Sequence, residues 1–200
     1  MKGKKIAFFD FDGTITTKDS FPELIKFLKG GSGFYFGMLL NIHWLAAFQI
    51  KLLSSDVLKE KILKYFFSGT PEPFFQKQCD QFADQILPGL IRTGVEAEFD
   101  RLRNDGFEIV IVTASAENWI RNWAMQFSVV LIATKLEVKN GLITGKIDGH
   151  NCKGEQKVIC IKQKWALTDY DTIYVYGDSA ADKPMMSLAT RSFYKPFRKA

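Results

Sequence analysis

The chain has 200 residues, of which 46% are hydrophobic and 24% are charged, and its formal net charge is +5. That length and composition are typical of one globular α/β unit with a small insertion, and they exclude a mostly disordered protein. The lysines are spread along the chain without a long basic run, so we expect no binding to nucleic acid. Mild basicity instead favours anionic substrates or an anionic membrane surface.

The cysteines and the first residues indicate the compartment. Cys79, Cys152 and Cys160 have neither CxxC nor zinc-ligand spacing, which predicts free thiols in a reducing environment. Residues 1–5 are basic, but the apolar run that follows ends at Asp10 and is too short for a secretory signal. We therefore expect a cytoplasmic protein.

A short apolar run, residues 6–9, leads into Asp10-Phe11-Asp12-Gly13-Thr14. This order predicts a buried strand that delivers two carboxylates to its C-terminal end, where open α/β sheets bind ligands. Gly13 lets the chain turn directly after Asp12, so both carboxylates can face one pocket. The pair suits a nucleophilic carboxylate with a neighbouring acid/base and a magnesium ion, because two close acids otherwise repel each other. The alternative is an ordinary turn after a strand.

Two later apolar runs also end in polar residues. Residues 108–112 predict a strand that leads into Thr113, Ala114 and Ser115, and Ser115 is a candidate N-cap for a helix that begins near residue 116. Residues 172–176 predict another strand, which leads into Gly177-Asp178-Ser179-Ala180-Ala181-Asp182.

Together and in this order, the three motifs resemble those of the haloacid-dehalogenase-like phosphohydrolases. The resemblance implies a two-step phosphoryl transfer in which Asp10 is the nucleophile and Asp12 is the general acid and base. It also implies that the Thr113 hydroxyl binds a phosphoryl oxygen. Backbone N–H groups at Phe11 and near Ala114 are expected to add donors to the phosphate.

The same resemblance implies a magnesium cofactor. Its expected ligands are the Asp10 carboxylate, the backbone carbonyl of Asp12 and the Asp178 carboxylate, while Asp182 supports the metal site. Magnesium fits this set because all of the ligands are hard oxygens.

The family's third motif is a lysine at the start of the helix before the last of these strands, and Lys153 and Lys157 are both candidates. Gly154 indicates that a loop ends there, and Lys157 lies in the first turn of the helix that follows. We therefore favour Lys157 as the second side chain that binds phosphate. For either lysine, the alternative is a solvated surface charge. The apolar stripe of this helix is expected at Val158, Ile161 and Trp165.

Between the first two strands, the sequence predicts helices separated by a glycine-rich break and a Ser-Gly-Thr-Pro break, at residues 20–29, 34–53, 55–67 and 71–86. An insertion at this place resembles the helical-cap branch of the family, which includes phosphoserine phosphatases and bacterial phosphatidylglycerophosphatase-type enzymes. The expected α/β fold is a Rossmann-like parallel-sheet core, residues 1–18 and 88–200, with a helical-bundle cap at 19–87. Asn140-Gly141 predicts a hairpin with a type I′ turn.

Asp19 lies nine residues after Asp10, where phosphoserine phosphatases commonly have a glutamate that holds the substrate amine. Aspartate is shorter, which counts against amino-acid recognition. The favoured alternative is an N-cap for the first cap helix, with Pro22 in its first turn.

Residues 33–50 are apolar on nearly all sides of a helix. A membrane span is disfavoured because it would place Asp10 and Thr113 on opposite sides of the membrane. The open alternatives are a core helix of the cap, a homodimer contact, or a surface that dips into lipid at the inner face of the membrane. For the lipid alternative, the expected apolar surface beside the active-site mouth comprises Phe34, Phe36, Leu39, Leu40, Trp44, Leu45 and Phe48.

The sequence therefore predicts a magnesium-dependent phosphomonoester hydrolase that acts through an aspartyl-phosphate. The expected substrate is a phospholipid head-group phosphate or a small phosphomonoester such as phosphoserine. Two alternatives stay open, namely a phosphotransferase to an alcohol acceptor and a non-catalytic membrane or protein adaptor on the same scaffold.

Overall fold

A six-stranded sheet forms the centre of the computed structural model, which describes residues 3–198. The strands are β1 (Lys4–Phe9), β2 (Phe107–Ala116), β3 (Val130–Lys139), β4 (Leu142–Asp148), β5 (Tyr170–Gly177) and β6 (Arg191–Tyr194). Their order across the sheet is β4-β3-β2-β1-β5-β6. All neighbouring pairs are parallel except β3 and β4, which form an antiparallel hairpin. The predicted α/β fold class is thereby confirmed.

The central strands are buried on both faces, as parallel strands covered by helices must be. In β1, Ala7 and Phe9 belong to one hydrophobic cluster, while Ile6 and Phe8 belong to the other. This alternation follows from the two-residue period of a strand. It explains why the run before Asp10 is continuously apolar rather than alternating.

Four helices are inserted between β1 and the rest of the sheet: α1 (Ser20–Leu40), α2 (Ile42–Gln49), α3 (Ser55–Phe67) and α4 (Glu72–Gln85). We refer to α1–α4 as the inserted helices. The remaining helices are α5 (Val95–Asn104), α6 (Glu117–Gln126), α7 (Glu155–Lys164) and the short α8 (Lys183–Met186). Helices α3 and α4 lie within a residue of the predicted ranges.

The prediction for the first two inserted helices was wrong in two respects. The chain stays helical through the glycine-rich segment, and only Gly30 leaves helical geometry, with φ of 72° and ψ of 165°. The predicted helix at 34–53 is instead divided at Asn41, whose side-chain amide donates to the Gly37 carbonyl over 2.9 Å. Residues that are apolar on all sides give no periodic signal that could locate such a break.

The β3–β4 hairpin is joined to the inserted helices. Asn140 and Gly141 both have positive φ, of 52° and 73°, as a type I′ turn requires. The loop between α3 and α4 pairs with β4 through backbone bonds at Ile143, which accepts from Gly69 and donates to Thr70, each at 2.9 Å. The hairpin therefore extends from the sheet into the insertion.

A glycine permits the closest contact between these parts. Gly145 of β4 lies so near α3 that a Cβ there would collide with the backbone of Lys64. Beside it, the Glu60 carboxylate accepts from the Ile147 amide over 2.9 Å. Both contacts fix α3 against β4.

Among residues 3–198, no helix combines the length and apolarity needed to cross a membrane.

Candidate active site

The C-terminal ends of β1, β2 and β5 bring the predicted site residues together. Asp10 follows β1 directly, and its amide donates to the Tyr176 carbonyl of β5 over 2.9 Å. Asp10 as a whole residue is only 8% exposed. Gly13 has φ of 81°, and a Cβ there would collide with the Asp178 carboxylate. The turn predicted after Asp12 therefore needs glycine for its conformation and for its proximity to Asp178.

Lys157 reaches the nucleophile candidate from the first turn of α7. Its Nζ lies 2.5 Å from Oδ1 of Asp10 and 2.6 Å from Oδ1 of Asp182, and the side chain is buried. Lys153 is exposed, and its Nζ instead donates to the Ser55 hydroxyl over 2.8 Å. Of the two candidates, the structure brings only Lys157 into contact with Asp10.

Three carboxylates form the candidate metal centre. Asp10, Asp178 and Asp182 each offer an oxygen within 4.8 Å of the others. Both oxygens of Asp182 are already bonded, one to Lys157 and the other to the amide and hydroxyl of Ser179 at 3.0 and 2.8 Å. Asp182 thus holds the loop that carries Asp178. This donor set of hard oxygens fits magnesium.

Asp12 accepts hydrogen bonds at both carboxylate oxygens. The Ser20 amide, in the first turn of α1, donates to Oδ1 over 2.7 Å, and the Ser115 hydroxyl donates to Oδ2. The prediction that Ser115 caps the next helix was therefore wrong. Ser115 lies inside β2, and Ala116 is the N-cap without a side-chain bond, because Asp12 recruits the serine hydroxyl.

The two acids of the first motif have higher pKa values than ordinary aspartates, because both carboxylates are removed from water. Burial raises the pKa of Asp10 to about 6, partly opposed by the nearby charge of Lys157. Burial also raises the pKa of Asp12 to about 7, with a further increase from the charge of Asp19. Both acids therefore have a pKa above that of an ordinary aspartate, which suits an acid that donates and accepts a proton near neutral pH.

The predicted phosphate ligands have different surroundings. Thr113 is buried, and its hydroxyl accepts from the Ser115 amide over 3.0 Å. Ala114 lies beside it at the cavity, and its carbonyl accepts from Thr134 over 2.7 Å. The side chain of Phe11 packs in the core against Trp123, so only its backbone is available to a ligand.

Asp19 caps α1, as the favoured alternative predicted. Its Oδ1 accepts from the Phe21 amide over 2.9 Å. The residue also lines the cavity that contains Asp10 and Asp12, which has a volume of about 400 Å³. Capping therefore leaves Asp19 within reach of a substrate.

Sequence reasoning missed a further cation at this cavity, which Lys153 and Lys157 also line. Lys59, on α3, extends its Nζ to 2.5 Å from the Ala114 carbonyl. Burial lowers its pKa to about 8, although the negative charges of Asp12 and Asp19 partly oppose this effect. No sequence signal distinguishes Lys59, because it is one of several lysines in an ordinary amphipathic helix.

Two further contacts were not predicted. Thr14 is buried, and its hydroxyl lies 3.3 Å from Oδ2 of Asp10 and 3.5 Å from Oδ1 of Asp178. Arg198 places Nη2 at 2.8 Å from Oδ2 of Asp178. Thr14 belongs to the first motif and could have been identified from the sequence, whereas Arg198 lies outside every motif in the sequence.

The side of the cavity that the inserted helices form is mostly apolar. Besides Ser55 and Lys59, it consists of large apolar side chains from α1, α2 and α3, namely Phe21, Ile25, Phe34, Met38, Leu45, Leu58 and Ile62. The site thus combines a charged floor at the strand ends with an apolar wall from the inserted helices.

A family model of haloacid dehalogenase-like hydrolases matches residues 7–187. The chain belongs to this family. It is 32% identical to protein CicA of Caulobacter vibrioides over 95% of this chain and 85% of that protein. A crystal structure of a protein of unknown function from Bordetella pertussis has a TM-score of 0.84 and 23% identity, covering 96% of this chain and 89% of the other.

An aspartyl-phosphate intermediate analogue of phosphoserine phosphatase has a TM-score of 0.64 and 21% identity, covering 96% of this chain and 86% of the other. The fold is thus that of phosphoserine phosphatase-like hydrolases of the family.

Proposed function

We propose that the protein is a magnesium-dependent phosphomonoester hydrolase that acts through an aspartyl-phosphate. The observation that carries this proposal is the position of Asp10, a buried carboxylate in contact with a buried lysine beside a second acid of raised pKa. The hydrolase family and the phosphoserine phosphatase neighbours support the same chemistry. We further propose that residues 19–87 form the cap over this site.

In the first step, a carboxylate oxygen of Asp10 attacks phosphorus and the bond to the leaving oxygen breaks. Asp12 donates its proton to that leaving oxygen. In the second step, Asp12 takes a proton from water, which attacks phosphorus and releases inorganic phosphate and Asp10. Thr113 and Lys157 bind the equatorial phosphoryl oxygens throughout.

Magnesium would be held by Asp10, Asp178 and the backbone carbonyl of Asp12, where it would offset the negative charge of the phosphoryl group. Asp182 contributes indirectly, because it holds the Ser179 loop and Lys157 in place.

The cavity wall favours a leaving alcohol with an apolar portion near the phosphate, as in a phosphorylated lipid. Most of the wall from the inserted helices is apolar, and an apolar group gains about 25 cal/mol for each Å² that it buries. Phosphoserine is the second candidate. It is favoured by the opposite charges of Asp19 and Lys59, which could meet an amine and a carboxylate.

The test of the reaction is turnover of p-nitrophenyl phosphate with magnesium, followed by mass spectrometry of acid-quenched protein. We expect a covalent phosphoryl group on the wild type and neither phosphoprotein nor turnover for Asp10→Asn, since an amide does not attack phosphorus. Wild-type turnover by Asp10→Asn would contradict the mechanism. Added glycerol distinguishes a phosphotransferase, because glycerol phosphate would then form in place of free phosphate.

The substrate class is tested by comparing kcat/KM for dodecyl phosphate below its micellar concentration with that for phosphoserine. We expect the alkyl phosphate to be preferred by on the order of tenfold or more. A preference for phosphoserine that is lost in Lys59→Met would establish the second candidate.

A further inference from the structure

The outward face of α1, α2 and the segment that follows α2 carries many exposed apolar side chains. Six large residues within positions 35–52 are each at least 58% exposed. We call this set the outer apolar face; it comprises Tyr35, Phe36, Leu39, Ile42, Ile50 and Leu52. Isolated exposed apolar residues are common on proteins, but a contiguous group marks an interaction surface.

Helical periodicity explains which side chains face outward. Phe34 and Met38 line the cavity, and Gly37 packs so tightly on α3 that a Cβ there would collide with the Phe66 ring. Positions 34, 37, 38 and 41 form the inner stripe of α1, so residues 35, 36 and 39 point away from the protein. The segment is therefore not simply the core of the inserted helices.

The structure corrects the set of residues that the sequence predicted for the apolar surface. Phe36, Leu39, Leu40 and Phe48 are exposed as predicted. Phe34, Trp44 and Leu45 are instead half-buried, and Phe34 and Leu45 line the cavity. Trp44 is partly covered by Lys61, whose Nζ lies 4.5 Å from the indole ring centroid.

The charged residues near the outer apolar face indicate which kind of partner it binds. Between Glu23 and Asp56 the sequence contains no aspartate or glutamate. Two exposed lysines accompany the face: Lys29 precedes it in the chain, and Lys51 lies between its members Ile50 and Leu52. Exposed apolar side chains with nearby lysines and no acidic residues among them complement an apolar layer that is bordered by negative charge. The interface of an anionic bilayer is such a layer.

We infer that the outer apolar face binds the interface of anionic lipid membranes. The apolar side chains enter the boundary between head groups and acyl chains, while Lys29 and Lys51 contact anionic head groups. Because the inner stripe of α1 is also a wall of the active-site cavity, this binding places the cavity within one helix diameter, about 10 Å, of the bilayer. The inference is independent of the proposed reaction, since binding is measured without turnover.

The experiment is flotation of the full chain with phosphatidylcholine vesicles that contain or lack phosphatidylglycerol. We expect the wild type to float with the anionic vesicles. The partition coefficient should fall by on the order of tenfold or more in Phe36→Ser/Leu39→Ser, because two inserted side chains are lost. Lys29→Glu/Lys51→Glu should reduce flotation on the anionic vesicles only, by about tenfold.

A matched control changes exposed apolar residues elsewhere, as Met125→Ser/Ile159→Ser on α6 and α7. This variant should float like the wild type, and thermal unfolding shows whether each variant remains folded. Asp10→Asn should also float normally, which separates binding from catalysis. Three outcomes would overturn the inference: no flotation of the wild type, equal loss in the control, or a dimer in water that Phe36→Ser/Leu39→Ser abolishes while vesicles are ignored.

Discussion

The ammonium group of Lys157 lies 2.6 Å from the carboxylate of Asp182, and both side chains are buried. Burial lowers the pKa of Lys157, but the carboxylates of Asp10 and Asp182 outweigh this and raise it above its usual value. The lysine therefore remains charged at neutral pH. Asp182 thereby holds this cation beside Asp10.

The two lysines that the sequence left as candidates should differ strongly on substitution. We expect Lys157→Ala to reduce kcat by several orders of magnitude, because the developing phosphoryl charge loses a buried cation. Lys153→Ala should cost about tenfold or less, since an exposed charge is screened by solvent and salt. Steady-state kinetics with p-nitrophenyl phosphate decide the point, and the reverse order would assign the phosphate contact to Lys153.

Replacing Asp12 by asparagine should slow turnover by on the order of 10²-fold or more, the usual contribution of a general acid or base. Asparagine retains an oxygen for the Ser20 amide or the Ser115 hydroxyl, so the fold should persist. The matched control is Asp56→Asn. The Asp56 carboxylate lies outside the first motif, where it accepts a hydrogen bond from the Asn151 amide. Turnover of Asp12→Asn within a few-fold of wild type would remove Asp12 from the proton transfers.

Lys59 should reduce stability at neutral pH. Its pKa is lowered to about 8 by burial, so below that pH the folded protein carries a charge that is partly removed from water. Above about pH 8 the folded protein releases this proton while the unfolded chain keeps it, up to an ordinary lysine pKa of about 10.4. The unfolding free energy of wild type should therefore rise with pH relative to Lys59→Met.

Urea unfolding of both proteins at pH 7 and pH 9 measures this difference. Lys61→Met provides the control, because Lys61 lies two positions along the same helix and its Nζ lies over the Trp44 ring rather than beside Ala114. If the unfolding free energy of wild type relative to that of Lys59→Met stayed constant or fell from pH 7 to pH 9, Lys59 would not be desolvated in solution.

Arg198 should compete with the metal for Asp178. The 2.8 Å ion pair between their side chains occupies an oxygen that the cation needs. Arg198→Ala should therefore lower the magnesium concentration for half-maximal activity by about two- to fivefold, consistent with the loss of one partly exposed ion pair. Calorimetric titration with magnesium provides a second readout. Arg191→Ala, a change of an exposed arginine over the Phe193 ring, should leave the titration unaltered.

The sequence predicted the parts of the site that lie at strand ends. Apolar runs locate the strands, and parallel strands carry Asp10, Thr113 and Asp178 to the same edge of the sheet. Lys59 could not be predicted, because its contact with Ala114 depends on how α3 packs against β4. The role of Ser115 was missed because its partner, Asp12, lies on another strand end 103 positions away.

The contact of Gly145 with the backbone of Lys64 also limits how this protein can be recombined with its relatives. A chimera that exchanged only the inserted helices would place foreign side chains against a strand shaped for this α3. The hairpin would also face a foreign loop in place of the one whose backbone at Gly69 and Thr70 pairs with Ile143. The transferable unit therefore consists of two pieces of chain, the inserted helices together with the hairpin. Substrate specificity can be transferred between relatives only if the inserted helices and the hairpin are exchanged together.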